Sequence, residues 1–279
     1  MAEEENRRMA SATRQAIADL ARSAREERGL SQEELGRLIN YSGAAVSKLE
    51  TCKDGVTIKM LSLLDRELFD GRRILTKLLP YVDVDRFPPH FRDYALLERD
   101  AISVCGYQTM VVDGPFQTEA YATAVIKGAY PAVTTDAAEQ FVQARVARQA
   151  LFERTHPMPH LELVQEESSL LRQFGTPATM REQLWHLVEL SKRPNITVQV
   201  LPLNCGSRGE HAGTEGPMKL FERPDHSRVV YLEAQRRGLL ITQPEEVSEL
   251  TQRYAMIRAQ ALGPYESRDL ILRKAEEFT

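Results

Sequence analysis

Gly29-Leu30-Ser31-Gln32-Glu33-Glu34-Leu35-Gly36-Arg37-Leu38-Ile39-Asn40-Tyr41-Ser42-Gly43-Ala44-Ala45-Val46-Ser47-Lys48-Leu49-Glu50 is the most informative stretch of this 279-residue chain. Ser31 with Glu34 three residues later forms a capping box, in which serine caps the helix and glutamate reaches back to the serine amide. Leu35, Leu38 and Ile39 follow as an apolar stripe at helical spacing. Asn40-Tyr41-Ser42 is a short turn, and Ser42 is an acceptable N-cap. Gly43 to Glu50 then reads as a second short helix with Val46 and Leu49 inward. Helices joined this closely must cross, and Gly36 supplies the small residue at the crossing.

On the N-terminal side, Ile17, Leu20, Ala21 and Ala24 predict a helix that Ser11 or Thr13 caps and Gly29 stops, while residues 1–10 form a charged, frayed arm. On the C-terminal side, Lys53-Asp54-Gly55 ends the helix begun at Gly43. Ile58, Leu61, Leu64 and Leu68 pattern a fourth helix, and Ile74, Leu75, Leu78 and Leu79 a fifth short segment that stops at Pro80. Residues 1–80 are therefore expected to form an all-α domain of four to five helices. Asp83 to His90, with Phe87-Pro88-Pro89, reads as a linker.

Residues 86–279 change character and predict an α+β domain, making the whole chain α+β. Helices are expected at Phe91–Ala101, Pro115–Ala129, Asp136–Arg154, Met180–Ser191, Pro244–Ala261 and Tyr265–Glu277. About four strands are expected, at His160–Gln165, Asn195–Leu201, Met218–Glu222 and Arg228–Glu233. The lone Trp185, on an apolar helix face, is expected in the core. Val247, Leu250, Tyr254, Ile257, Ala261, Leu270 and Ile271 mark either a dimer face or core packing.

Composition narrows the classes. Hydrophobic residues at 42 % and charged residues at 27 % exclude disorder and low complexity. No apolar run is long enough to span a bilayer, and the N-terminus is not signal-like. Cys52, Cys105 and Cys205 are odd in number and far apart, which argues against a disulfide framework or a structural metal site and for a cytoplasmic protein. The formal net charge is −4, and residues 1–80 hold 14 basic against 13 acidic side chains. Nucleic-acid binding must then come from a local patch rather than a global field.

Two short crossed helices with this turn describe a helix-turn-helix, whose second helix can enter a DNA major groove. The run from Gly29 to Glu50 resembles the lambda-repressor-like family of bacterial regulators, of the xenobiotic-response-element type, over residues 14–68. The resemblance implies a phosphate contact from Gln32 and a groove-facing surface of Ser42, Gly43, Ala44, Ala45, Ser47 and Lys48, with Lys53 adding phosphate contact. The helix N-termini would offer further amides to phosphate. The recognition helix opens Gly-Ala-Ala, which can make no bidentate base contact, so sequence readout is expected to lean on DNA shape and dimer spacing. Gly55-Val56-Thr57 departs from relatives that carry a proline there.

Further motifs lie downstream: Phe116-Gln117-Thr118 with Tyr121-Ala122, Arg145-x-x-Arg148-Gln149, Leu163-Val164-Gln165-Glu166, Asn195 to Pro202 and Val230-Tyr231-Leu232-Glu233. Together they resemble a group of actinobacterial regulators in which the same helix-turn-helix is fused to an antitoxin-like C-terminal domain. Departures are Asp113-Gly114-Pro115 before Phe116 and Tyr94 in place of a tryptophan. The resemblance implies a transcription regulator acting on double-stranded DNA, expected as a homodimer because one such weak module needs avidity. It also implies a partner for the C-terminal domain, either a small protein encoded by an adjacent gene or a small-molecule effector. The alternative is an antitoxin-like module that sequesters a small protein, with autoregulatory DNA binding. Cys205 to Gly216, carrying Arg208 and His211, is the candidate ligand or partner loop, a plain surface loop being the other reading. Glu166, Glu167, Glu233 and His211 offer no nucleophile–base pair or metal spacing, so no enzyme, cofactor or metal is expected.

Overall fold

The computed structural model describes residues 12–53, 57–84, 91–206, 209–234 and 237–279, and the chain divides into two units, Met1–Pro89 and His90–Thr279. The charged arm, Ser11, Asp54 to Val56, the linker from residue 85 to 90, and Arg208 lie outside the described residues.

The first three helices of this unit end alike. Helix α1 (Ala12–Glu27) closes with the Gly29 amide on the Glu26 carbonyl and the Leu30 amide on Arg25, a Schellman pair with Gly29 at φ +68°. Helix α2 (Gln32–Leu38) repeats the pattern with Asn40 at φ 56°, and α3 (Gly43–Glu50) with Cys52 at φ 57°. Thr13 lies inside α1, so it does not cap that helix. Helix α4 (Ile58–Leu68) is capped by Thr57, and a 3-10 turn (Thr76–Leu78) runs directly into α5 (Leu79–Val84). Pro80 therefore opens a helix instead of stopping one, because an amide missing from the first turn costs no helical hydrogen bond. Asp83 and Val84, expected in the linker, fall within this helix. Ile17, Leu35, Ile39, Val46, Leu61 and Leu64 form the centre of this unit's core. Buried Asp65 organises the turn after α4, accepting hydrogen bonds from the amides of Leu75 (2.8 Å) and Thr76 (2.9 Å).

The second unit is a six-stranded mixed sheet with helices on both faces, ordered β3-β2-β1-β4-β5-β6. The strands are β1 (Ser103–Gln108), β2 (His160–Glu166), β3 (Ile196–Leu201), β4 (Met218–Glu222), β5 (Arg228–Ala234) and β6 (Arg237–Ile241). The first three pair in parallel, and β4 to β6 continue antiparallel from β1. Two strands go beyond the four expected, β1 and β6. Strand β1 has the weak β composition Ser-Val-Cys-Gly-Tyr-Gln, yet it sits between β2 and β4, where neighbours supply both hydrogen-bonding edges.

Helices α6 (Arg92–Asp100), α7 (Glu119–Lys127), α8 (Thr135–Ala147), α9 (Ala150–Glu153), α10 (Glu167–Leu171), α11 (Pro177–Leu190), α12 (Pro244–Gln260) and α13 (Pro264–Glu277) complete the unit. The single long helix expected over 136–154 is broken after Ala147. One sheet face carries Val104, Leu161, Leu163, Val198, Val200 and Phe221 into a core shared with α11 and α13. The other carries Tyr107, Val164, Leu201, Met218 and Val230 against α12. With both faces covered, β2 is buried along nearly its whole length instead of alternating. Val247, Leu250, Tyr254, Ile257 and Ile271 are buried within these cores, which decides for core packing over a dimer face. Trp185 is 47 % exposed, against the expectation of a core residue: Leu184, Leu187 and Val188 take the buried stripe of α11 and the indole falls outside it.

Candidate nucleic-acid interface

The capping box at Ser31 is formed: the Glu34 amide donates to Ser31 Oγ (3.2 Å) and the Ser31 amide to Glu34 Oε2 (2.8 Å). Hydrogen bonds from Ser31 hold the Glu34 carboxyl below its ordinary range. Ser42 caps α3 by accepting from the Ala45 amide (3.2 Å). Between the two caps, Gly36 faces backbone: a Cβ there would lie 2.8 Å from the Tyr41 carbonyl oxygen and 2.9 Å from the Gly43 nitrogen. Gly43 is similarly close to Glu33, so it serves the crossing of α2 and α3.

Sequence reasoning missed the interaction that aims the recognition helix. Glu50, the last residue of α3, is 1 % exposed and takes both arms of Arg25 from α1, at 2.6 and 3.0 Å. Arg25 also donates to the Leu30 carbonyl (2.8 Å). The hydrogen bond and charge of Glu50 raise the Arg25 pKa. The Gln32 amide nitrogen donates to the same carboxylate at 2.8 Å. Three elements are thereby tied at one carboxylate. The signal was present as an acidic residue in an inward register, one position after Leu49, but its partner is 25 residues away in sequence.

The assigned residues stand as follows. Ser42, Ala44, Lys48 and Lys53 are exposed, while Gly43, Ala45 and Ser47 are half-buried. Val46 and Leu49 point into the core. Gln32 keeps one amide N–H beyond the one given to Glu50. Ala44 and Lys48, four apart, share one exposed helical face. Cys52 occupies the left-handed position that ends α3, with its thiol directed to the Arg14 carbonyl (3.7 Å).

In the second unit, His211 reaches the end of β2: its Nε2 lies 3.4 Å from Glu166 Oε1, and its Nδ1 accepts the Gly213 amide (3.1 Å). That pattern corresponds to an imidazole donating through Nε2. Glu166 also accepts from the Tyr107 hydroxyl (2.7 Å), so the loop after β3 is anchored on the parallel strand ends. Burial, then the Glu166 carboxylate, pushes the Cys205 thiol up, away from nucleophilic character. Glu233 sits apart, exposed at the end of β5.

The downstream motifs meet around the turn before α7. Gln117, 1 % exposed, accepts from Arg145 through Oε1 (2.9 Å), and its backbone carbonyl accepts from Gln149 (2.7 Å). The Gln183 side chain brackets the same turn, accepting from the Thr118 amide (2.7 Å) and donating to the Phe116 carbonyl (2.8 Å). Arg148 is bidentate on Glu98 (2.6 and 2.8 Å) and lies over the rings of Phe91 and Tyr94. A cavity of about 540 Å³ opens elsewhere in the unit, between Leu96, Leu97 and Asp100 of α6 and Arg223 and Leu240. Among the described residues, no helix is long and apolar enough to cross a membrane and no cluster of metal-ligating side chains occurs.

Residues 16–66 match a family described as a helix-turn-helix domain, which covers α2 and α3, and residues 91–273 match a domain of unknown function (DUF5753). Comparison with curated proteins gave no match, and comparison with solved structures gave none. The second match spans more than half of the chain and takes in the whole sheet, so the protein belongs to the DUF5753 family and carries a helix-turn-helix domain ahead of it.

Proposed function

We propose that the chain is a sequence-specific DNA-binding transcription regulator of the lambda-repressor-like, xenobiotic-response-element type, from the actinobacterial group described above. It places Gly43–Glu50 in the major groove. The observation that carries this reading is the fixed presentation of α3: a buried Arg25–Glu50 pair holds its end while Ser42, Ala44 and Lys48 stay exposed at the other side. Gln32, Lys48 and Lys53 supply phosphate contacts, and two capped helix N-termini add amides that favour anions. A homodimer with half-sites about one helical turn apart, ~34–36 Å, provides the affinity that one Gly-Ala-Ala helix lacks. The C-terminal domain senses a partner or ligand, and the protein acts in the cytoplasm as a binding protein and not as an enzyme.

The test is a salt-titrated binding assay of the full chain against its own promoter region and a scrambled duplex. A preference of about a thousandfold or more at physiological salt is expected for a specific regulator. Equal, salt-sensitive binding to both duplexes would overturn sequence-specific regulation and leave the helix-turn-helix as a tether.

A further inference from the structure

We propose that Arg145 is the anchor of a binding site for a small organic carboxylate in the C-terminal unit. Three cations converge between the sheet and the turn before α7: Arg145, Arg148 and Lys219. Two are matched. Arg148 is bidentate on Glu98, and Lys219 is paired with Asp113. Arg145 has a neutral partner, the Gln117 amide oxygen at 2.9 Å, and no carboxylate of the described residues lies within ion-pair reach of it.

The surplus charge is set in a costly place. Burial and the neighbouring Arg148 pull the Arg145 pKa down to about 10, although a guanidinium ordinarily stays far above that. Exposed Glu233 acts on it only through space, and Asp113 is committed to Lys219.

The donor geometry suits a ligand. Nε and Nη2 of Arg145 hold no acceptor among the described residues, and the residue is half-buried rather than sealed. A carboxylate can take two parallel N–H donors from such a fork. It also carries one negative charge for Arg145, the one cation of the three that has no carboxylate partner among the described residues. The guanidinium is already positioned, because Gln117 is fixed in turn by the Val112 carbonyl (2.6 Å) and by Gln149. A ligand therefore meets a preorganised group. The site stands apart from DNA binding, and its test does not depend on that reading.

The experiment is thermal denaturation of the full chain with sodium benzoate, benzamide or inorganic phosphate, at constant ionic strength set by chloride. Benzoate should raise Tm saturably, as a ligand selective for the native state does, and benzamide should not. Arg145→Gln should abolish the benzoate response, and Arg145→Lys should retain part of it. Because Arg145→Gln can also loosen Gln117, the arginine Nε–H resonances of the unmodified protein provide a second readout, with benzoate moving the signal that the lysine variant lacks. An equal shift with benzamide, a response retained in Arg145→Gln, an unmoved Arg145 signal, or stronger stabilisation by phosphate would each overturn the proposal.

Discussion

At the scale of single residues, the helix-turn-helix depends on an ion pair that has no counterpart in local sequence. Arg25 is 8 % exposed and Glu50 1 %, so removing one partner leaves the other charge buried without its match. Arg25→Met is expected to cost about 3–5 kcal/mol, read as a lower urea midpoint for the helical unit. Replacing both residues by methionine should recover most of that loss; failure to recover would mean that the pair does more than balance charge. A half-buried histidine gives a second residue-scale prediction. Among the described residues His186 Nε2 is buried without a hydrogen-bond partner, and burial lowers its pKa below 6.5. The unfolded chain then binds more protons than the native one just below pH 6.5, so the stability contributed by neutral His186 is lost as pH falls through that window. His186→Leu should flatten the decline between pH 7 and 5 relative to the unmodified protein, measured as midpoint against pH. Identical slopes would exclude His186 as its source.

At the scale of elements, the crossing of α2 and α3 is controlled by backbone contact. The atoms that a Gly36 Cβ would meet belong to Tyr41, Ser42 and Gly43 main chain, which cannot swing aside as a side-chain end would. Gly36→Ala should therefore destabilise the helical unit by about 1–3 kcal/mol and weaken DNA binding by tilting α3. An unchanged midpoint with unchanged affinity would show that the turn adjusts. Lys48 belongs to the same element but has a different expected signature. Lys48→Ala should weaken promoter and scrambled duplexes alike and reduce the salt dependence by about one phosphate contact. A loss confined to one base position would reassign Lys48 from phosphate to base readout. The two variants separate the helix's position from its chemistry.

At the scale of the whole molecule, the legible and illegible parts follow the range of the interactions. The helices of the first unit announce themselves through caps and apolar spacing, and Ser31, Ser42 and Gly29 act as those signals require. Four strands were equally readable, since their β-rich runs are local. Strand β1 was not, because Ser103, Cys105 and Gly106 become strand only when β2 and β4 flank them. Trp185 was misread for a related reason: helical spacing identifies an apolar stripe but does not say how wide a stripe the neighbouring sheet covers. The proposed homodimer predicts a footprint with two half-sites related by two-fold symmetry, about one helical turn apart. A single asymmetric half-site would overturn the dimer and place specificity in one helix.

The amino-acid sequence by itself determined the helix-turn-helix and the α+β character of the remainder. Those properties rest on caps, turns and periodicities that act within a few residues along the chain. Tertiary structure alone decided that Glu50 locks onto Arg25, that the terminal helices bury their apolar faces within their own unit, and that Gln117, Arg145, Arg148 and Gln149 meet around one turn. Burial makes the difference. The pairing of a charge or amide matters most where water is excluded, and which groups lose water together is set by the packing of segments distant in sequence.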